Sequence, residues 1–279
     1  MKKLFVLLML VFVCMFAVAC GGVKFNESKG ELVIGLECEY SPFNWTETKK
    51  TDSNVEIYGQ SGLYAEGYDI QIARRIADSL GLKLVVKKIA WEGLIPALES
   101  GDIDAIIAGM SPTAERKESI NFTDSYYESE HVVVVKADSS YASATKFSDF
   151  SGANVIGQKG TAYEELANQL ARRANTTAQA PLGTVPLIIS SILAGSTDVT
   201  VVEKPVALGI CASNPSLKWI KLTEAFEYED EAETIVSIGV RKVDEKLLKQ
   251  INDALALITL EEREALMVAA VNAGAEWWS

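Results

Sequence analysis

Residues 67–108 read GYDIQIARRIADSLGLKLVVKKIAWEGLIPALESGDIDAIIA. Gly67-Tyr68-Asp69 opens a segment in which Ile70, Ala73, Ile76, Ala77 and Leu80 recur at helical spacing, and Gly81 stands where a glycine ends a helix. Residues 83–89 then predict a strand, 94–98 a short helix and 104–108 a buried strand. With Leu32-Val33-Ile34 as the preceding strand, the segment has a βαβαβ rhythm with short links. That rhythm argues for an α/β fold built on a parallel sheet flanked by helices.

A second set of the same kind follows. Residues 153–157 predict a strand, 162–172 a helix, 184–194 a helix ending at Gly195, 199–202 a strand and 205–211 a helix. The end of the chain is helical over 244–257 and 261–271. Two β-rich stretches, Val132-Val133-Val134-Val135 and residues 235–240, separate the sets. We read them as crossings between two α/β lobes: residues 31–133 with 234–279 form the first lobe, and 134–233 the second. One continuous sheet is the competing reading of the same pattern. Residues 46–66 are polar, contain Gly59 and Gly62, and fit a loop or hairpin inserted after the first strand.

The N-terminus carries an export signal. Lys2 and Lys3 precede a continuous apolar run over 4–18, too short to span a bilayer comfortably, and Ala17-Val18-Ala19 supplies small residues before Cys20. Residues 1–19 are therefore expected to be a signal peptide. The small residue at 19, Cys20 and Gly21-Gly22 resemble a bacterial lipobox, although such a box more often has leucine where Ala17 stands; an ordinary cleavage after Ala19 is the simpler alternative. A lipidated Cys20 would hold the protein at the outer face of the cytoplasmic membrane through acyl chains, with 20–30 as the anchor and a polar tether. Loss of residues 1–19 removes two lysines and no acid, taking the net charge from −12 to −14. So acidic a surface repels phosphate backbones, and no basic run is present, so nucleic acid is excluded as a partner. One histidine and four cysteines argue against a zinc site, and no metal or cofactor is expected. Beyond the anchor, Cys38 and Cys211 fall in different lobes and are expected to be unbridged.

Open α/β sheets bind ligands beyond the carboxyl ends of their strands, so candidate site residues are sought there. After the first strand come Glu37, Glu39, Tyr40, Phe43 and Trp45, a set suited to a ligand with a cation and an apolar stem. Trp91 follows the second strand and could wall a pocket, though a lone tryptophan is more often core. After residues 104–108 come Gly109, Ser111 and Arg116. A carboxylate ligand needs a planar two-pronged donor, which Arg116 provides, and Ser111 adds a donor; alone, Arg116 and Thr113 read equally as a surface residue and a helix cap. In the second lobe, Gln158-Lys159-Gly160-Thr161 leads into a helix and presents further amide donors. Glu203 follows the 199–202 strand and can receive an α-ammonium, or be a solvated acid at a helix entry. His131 is expected to be structural or exposed, and Lys159 solvated.

The stretches ECEYSPF, EGYDIQIARRIADSLG, AWEGLIPALESGDIDAIIAGMSPTAERKESINFTDSYY, GQKGT and STDVTVVEKPVA, in that order, resemble the polar amino-acid-binding proteins of ABC transporters, substrate-binding proteins of family 3. The likeness runs from about Leu32 to Val271. It implies a two-lobe periplasmic-binding-protein fold (type II) with a ligand cleft between the lobes. By position it implies that Arg116 holds an α-carboxylate with the backbone at Ser111 and Thr161, that Glu203 and the Gly109 carbonyl take the α-ammonium, and that Tyr40 and Trp91 sandwich the side chain. Glu37 stands where lysine, arginine and ornithine binders carry an acid for a side-chain cation. Two departures leave specificity open: Ala108 replaces a polar residue common in those binders, and Glu203 is longer than the usual aspartate. Two acids beside one arginine favour lysine or arginine over an acidic amino acid.

The resemblance thus implies a monomeric, non-enzymatic binding component that closes on a free amino acid and docks on an ABC permease. Two alternatives of other classes stand beside it. Relatives on this fold include dehydratases of prephenate-like acids, for which Glu203 or Glu37 would serve as the acid. A sensor lipoprotein would bind without transport. Genes for a permease and an ATPase beside this one would discriminate.

Overall fold

The computed structural model describes residues 23–228 and 231–278. The signal segment 1–19 and the lipidation at Cys20 lie outside the described residues. The first part of the chain forms β1 (Glu31–Leu36), β2 (Glu39–Tyr40), β3 (Asn44–Glu47), β4 (Val55–Glu56), β5 (Tyr64–Glu66), α1 (Tyr68–Leu80), β6 (Lys83–Lys88), α2 (Leu94–Ser100), β7 (Ala105–Ile106), α3 (Ala114–Ser119) and β8 (Ile120–Glu128). Next come β9 (His131–Lys136), β10 (Val155–Ile156), α4 (Ala162–Arg173), α5 (Val185–Ala194), β11 (Val199–Glu203), α6 (Lys204–Ser213) and β12 (Leu217–Ile220). The chain ends with β13 (Ile235–Arg241), α7 (Glu245–Leu255) and α8 (Leu260–Gly274).

These strands make two principal sheets, ordered β6-β1-β7-β13-β8 and β10-β11-β9-β12, and a small antiparallel one, β2-β3-β5-β4, in the inserted segment. The expectation of parallel sheets needs correcting. β1 runs parallel to β6 and β7, and β10 parallel to β11, but β13 is antiparallel to β7 and β8, and β9 is antiparallel to β11 and β12. The cause is the path of the chain. β8 leaves the first sheet and becomes β9 after two residues, and the chain returns from β12 to β13 over 221–234. A strand arriving from the other sheet starts where the resident strands end, so it must run against them.

The stretches read as crossings, 132–135 and 235–240, are therefore interior strands, and the expected boundary after residue 133 falls inside β9. The connections themselves are 129–130 and 221–234. Sequence reading passed over β8 and β12. The segment 23–30, expected to be a tether, is packed on the first sheet's side instead: the Phe25 N–H donates to Asp244 Oδ1 at 2.8 Å, Lys246 pairs with Glu27, and Val23 lies against Gly101.

Local sequence accounts for the elements around the cleft. α1 buries Ile70, Ile72, Ala73, Ile76 and Ala77, and Gly81 closes it in the left-handed conformation. Each fully buried isoleucine contributes about 1.5–3 kcal/mol. In the second lobe, one face of the sheet packs on α4 around Val135, Val155, Leu166, Leu170 and Val201, while residues of α5 and α6 on the other face join the larger apolar cluster of the first sheet. Cys38 and Cys211 are both free thiols, and burial pushes the Cys38 thiol up to about 12. The end of the chain spans the two halves. In α8, Arg263 donates to the Ser125 carbonyl, and the Gly274 carbonyl accepts from Ser41 Oγ, both in the first half. Beyond it, Trp278 is buried against Gly209 of α6, and Asn214 Nδ2 donates to its carbonyl.

The returning strand is pinned by one buried cation. Arg241 pairs with Asp244 at 2.7 Å and Asp104 at 3.1 Å and donates to the Leu98 carbonyl at 3.0 Å. Asp104 in turn accepts from the Val33 N–H at 3.1 Å, so β13, α2 and β1 share one network. Removing Arg241 strands the buried Asp244 and the part-buried Asp104, and Arg241→Ala is predicted to lower the unfolding free energy by about 3–5 kcal/mol. Urea denaturation with an unchanged slope would register it.

Candidate functional site

One cavity lies between the two principal sheets, enclosing about 380 Å³ with its mouth. Its lining includes all eight residues expected from the sequence: Glu37, Tyr40, Trp91, Gly109, Ser111, Arg116, Thr161 and Glu203. His131, Gln158, Ala162 and Tyr163 complete it. Most stand just past the carboxyl end of a strand: Glu37 after β1, Trp91 after β6, Gly109 and Ser111 after β7, Gln158 and Thr161 after β10, and Glu203 as the last residue of β11.

On the first side, the chain reverses immediately after Glu37. Cys38 adopts a left-handed conformation (φ 56°), and its N–H donates to Asn44 Oδ1 at 2.8 Å. This turn brings Tyr40 to the cavity, stacked on Phe43 with ring centroids 5.1 Å apart. Gly109 also has positive φ (62°), and a Cβ there would stand 2.9 Å from the Tyr40 ring. Glycine therefore permits both the turn and the ring's approach. The Gly109 N–H donates to Tyr126 Oη at 3.0 Å, and Tyr126 donates to the buried Asp69 at 2.7 Å. Asn44 Nδ2 holds the other Asp69 oxygen at 2.8 Å. Burial raises Asp69 to about 7 against these donors.

Arg116, in α3, donates to the Ser111 carbonyl at 2.9 Å and to the Gly160 carbonyl of the other half at 3.2 Å. Its guanidinium lies 5.1 Å from the Trp91 ring centre, and Trp91 Nε1 donates to the same Gly160 carbonyl at 2.9 Å. Thr113 caps α3 through its hydroxyl. Burial pulls the Arg116 pKa down, opposed by the charges of Glu115 and Glu233, but a guanidinium stays charged at any physiological pH. Among the described residues no carboxylate is within ion-pair distance of it.

On the second side, Thr161 caps α4, accepting from the Tyr163 N–H at 3.1 Å and donating to the Gln158 carbonyl at 2.8 Å. Glu203 is 5% exposed. Tyr163 donates to its Oε2 at 2.6 Å, and Tyr40, from the other half, reaches the same oxygen. Burial raises the Glu203 pKa, and these two hydroxyls oppose the rise. Gln158 Nε2 sits 3.4 Å from both oxygens of Glu37, a long contact across the cleft. Burial lifts Glu37 to about 7; Glu39 adds to the rise, while Gln158, the Trp91 backbone and Lys88 oppose it.

Two side chains depart from expectation. His131, expected to be structural or exposed, is buried on the cavity wall, edge-on to Tyr163, with Nδ1 3.0 Å from Tyr228 Oη. Burial lowers it to about 4, so it is neutral near pH 7. Tyr163 was not singled out at all, because it occupies the second position of an amphipathic helix and reads as core. Its only signal was its place just past the β10 strand end. Lys159 stands outside this cavity, in an exposed ion pair with Glu92 at 2.6 Å. No group of three or more potential metal ligands occurs among the described residues.

A family model described as bacterial extracellular solute-binding proteins, family 3, matches residues 32–267. The arginine-binding extracellular protein ArtP of Bacillus subtilis is 28% identical over 257 residues, covering 91% of this chain and 92% of that one. A probable histidine-binding protein of Campylobacter jejuni is 31% identical over 224 residues, covering 78% of this chain and 80% of the relative. Among solved structures, the amino acid ABC transporter substrate-binding protein AbpA of Streptococcus pneumoniae, bound to L-arginine, superposes with a TM-score of 0.74 at 26% identity, over 90% of this chain and 98% of that one.

The raised Glu37 has a measurable consequence. A carboxyl held above its ordinary 4.5 stabilises the folded state below that pH and loses the contribution as pH rises through about 7. Asp69 acts in the same direction, and the lowered His131 in the opposite one below pH 6.5. The two carboxyls outweigh the one histidine, so thermal stability is predicted to fall between about pH 4.5 and 7 and to level off above that. Glu37→Gln should be up to about 3 kcal/mol more stable than the parent at pH 8 and nearly equal to it at pH 4. Melting curves of the two proteins at both pH values test this.

Proposed function

The chain belongs to the bacterial extracellular solute-binding proteins of family 3, and from that premise we propose that it captures a free L-amino acid for an ABC importer. The observation that carries this reading is the pairing inside one cavity: a guanidinium with no carboxylate partner among the described residues, and a nearly buried carboxylate whose Oε1 accepts no bond from them. The first sits on an element of the first sheet's half and the second on the second sheet. A zwitterion satisfies both, with its α-carboxylate on Arg116 and its α-ammonium on Glu203, the Gly109 carbonyl helping. The backbone at Ser111 and Thr161 flanks the carboxylate, and Trp91 and Tyr40 line the path of the side chain.

The side chain would run towards Glu37. With two acids and one arginine in the cavity, a cationic side chain is favoured and an acidic one disfavoured, since like charges in a desolvated pocket cost several kcal/mol. The arginine-binding ArtP and the arginine-bound AbpA support this preference. Binding proceeds by closure. The lobes are residues 31–128 with 235–278, and 131–220, and the segments 129–130 and 221–234 act as the hinge. A ligand that bridges Arg116 and Glu203 favours the closed arrangement.

We take the mature protein to be a monomer attached by a lipidated Cys20 to the outer face of the cytoplasmic membrane, where a permease receives the ligand. Among the described residues no helix is long and apolar enough to cross a membrane. Replacing Cys20 with serine should release the protein from the membrane fraction.

The central test is thermal melting against each common amino acid. Arginine or lysine at 100 times its dissociation constant should add about 2.7 kcal/mol, and Arg116→Ala should abolish the shift. A shift with only neutral amino acids would overturn the preference for a cationic side chain, and no shift with any would overturn the proposed function.

A further inference from the structure

Resting on the amino-acid reading of the cavity, we propose that Tyr163 is a positioning residue: its hydroxyl occupies one oxygen of Glu203, keeps that carboxylate charged in the closed cleft, and leaves the other oxygen for the ligand's ammonium.

The hydroxyl has a defined donor role. The Glu203 backbone N–H donates to Tyr163 Oη at 3.2 Å, so the phenol's own proton is directed outward, to Glu203 Oε2 at 2.6 Å. Tyr40 converges on the same oxygen and touches the Tyr163 hydroxyl. Among the described residues no donor reaches Oε1, although Glu203 lines the cavity at 5% exposure. A carboxylate with one oxygen doubly bonded and the other bare, facing a cavity, is built to accept one more donor.

Tyr163 is itself held tightly. Thr161 fixes its N–H. Gly157 lets the first turn of α4 lie directly on the end of β10, where a Cβ would overlap the Tyr163 carbonyl and Glu164 Cα. The His131 ring meets the Tyr163 ring edge-on at 5.8 Å, and Tyr228 anchors that histidine. These contacts come from β9, β10 and the return connection, so the hydroxyl's aim is set by the second lobe alone. Tyr40 adds its hydroxyl only when the lobes are together. Glu203 therefore carries one donor in an open cleft and two in a closed one, and the permanent donor is Tyr163.

Several other ionisable groups face Glu203. Asp69 on α1, Tyr127 on β8 and Tyr228 all interact with its charge. Arg116, Glu37 and His131 share its cavity. Of these, Glu37 and Asp69 are each raised to about 7, so the parent's own pH profile is not flat and the comparison must be between variants.

The test uses the full mature chain with 13C-labelled glutamate carboxyls, the residue 203 signal being assigned by its loss in Glu203→Gln. In the parent that carboxyl sets the reference titration. In Tyr163→Phe, which keeps the ring and loses the O–H, it should titrate at least one pH unit higher. Arginine affinity by calorimetry should then weaken more between pH 8.5 and 6 in the variant than in the parent, by at most tenfold for each unit of the rise. An unchanged residue 203 titration, or the same loss of affinity at both pH values, would overturn the proposal and leave Tyr163 a packing residue. Should no amino acid bind the parent, the reading of the cavity fails, and the ligand-free carboxyl titration alone decides whether Tyr163 holds the charge. If Tyr163→Phe folds poorly, ligand-free Tyr40→Phe leaves Tyr163 as the donor to that oxygen: an unchanged residue 203 titration upholds Tyr163 as the permanent donor, and a rise of a unit or more overturns it.

Discussion

The chain must pass from one sheet to the other and come back, and this governs the rest of the molecule. Because β8 enters the second half within two residues of leaving the first, the ends of the resident strands in both sheets meet at the same gap. Loops that follow those strands have nowhere to project but into it. Glu37, Trp91, Gly109, Ser111, Thr161 and Glu203, scattered over more than 160 residues, arrive in one cavity for that reason. The same constraint explains the antiparallel strand in each sheet. β9 and β13 are the incoming strands, and an incoming strand runs away from the gap that its neighbours run towards.

The protein uses buried charge in two contrasting ways. Around Arg241 every charge is matched: two carboxylates and the Leu98 and Ile103 carbonyls satisfy the guanidinium, and the carboxylates hold backbone N–H groups in turn. Such a saturated network ties β13 to its neighbours and has no capacity for a further partner. Around the cavity the matching is left incomplete. Arg116 is met only by carbonyls and the face of Trp91, and Glu203 by two hydroxyls on one oxygen. A desolvated cation and anion, each short of a counter-charge and on opposite lobes, are costly apart from a partner. Under the proposed function, that cost would be relieved by one molecule that carries both charges a few bonds apart.

Much of this was legible in the sequence. Helical spacing marked α1 and its glycine stop, and period and turn residues marked most of the strands. The strand-end rule, applied to a two-lobe reading, led to eight residues that do share one cavity. What escaped did so for physical reasons. Strand direction leaves no mark in composition, since a buried strand is Val- and Ile-rich whichever way it runs, so β9 and β13 were read as connectors. β8 alternates polar and aromatic residues and lies among loop-like neighbours. The segment 23–30 is polar enough to be free, yet it is held through backbone and charged groups rather than apolar ones. His131 and Tyr163 matter through each other and through Glu203, and a contact between residues 131, 163 and 203 has no local signature.

The last turn of the chain carries a mechanical consequence. α8 begins on the first lobe, and the residues after it end on the second, where Trp278 is buried against Gly209 and its carbonyl is held by Asn214. The halves are thus joined not by the two connecting segments alone but also by a terminal ligament. Any excursion of one half must either drag these few residues along or unseat a large indole, and exposing such a ring costs roughly 2–3 kcal/mol. If the cleft opens as proposed, its swing would resemble that of a sprung door more than a free hinge. The restraint on such a swing would then lie in the seating of a tryptophan far along the sequence from any residue of the cavity.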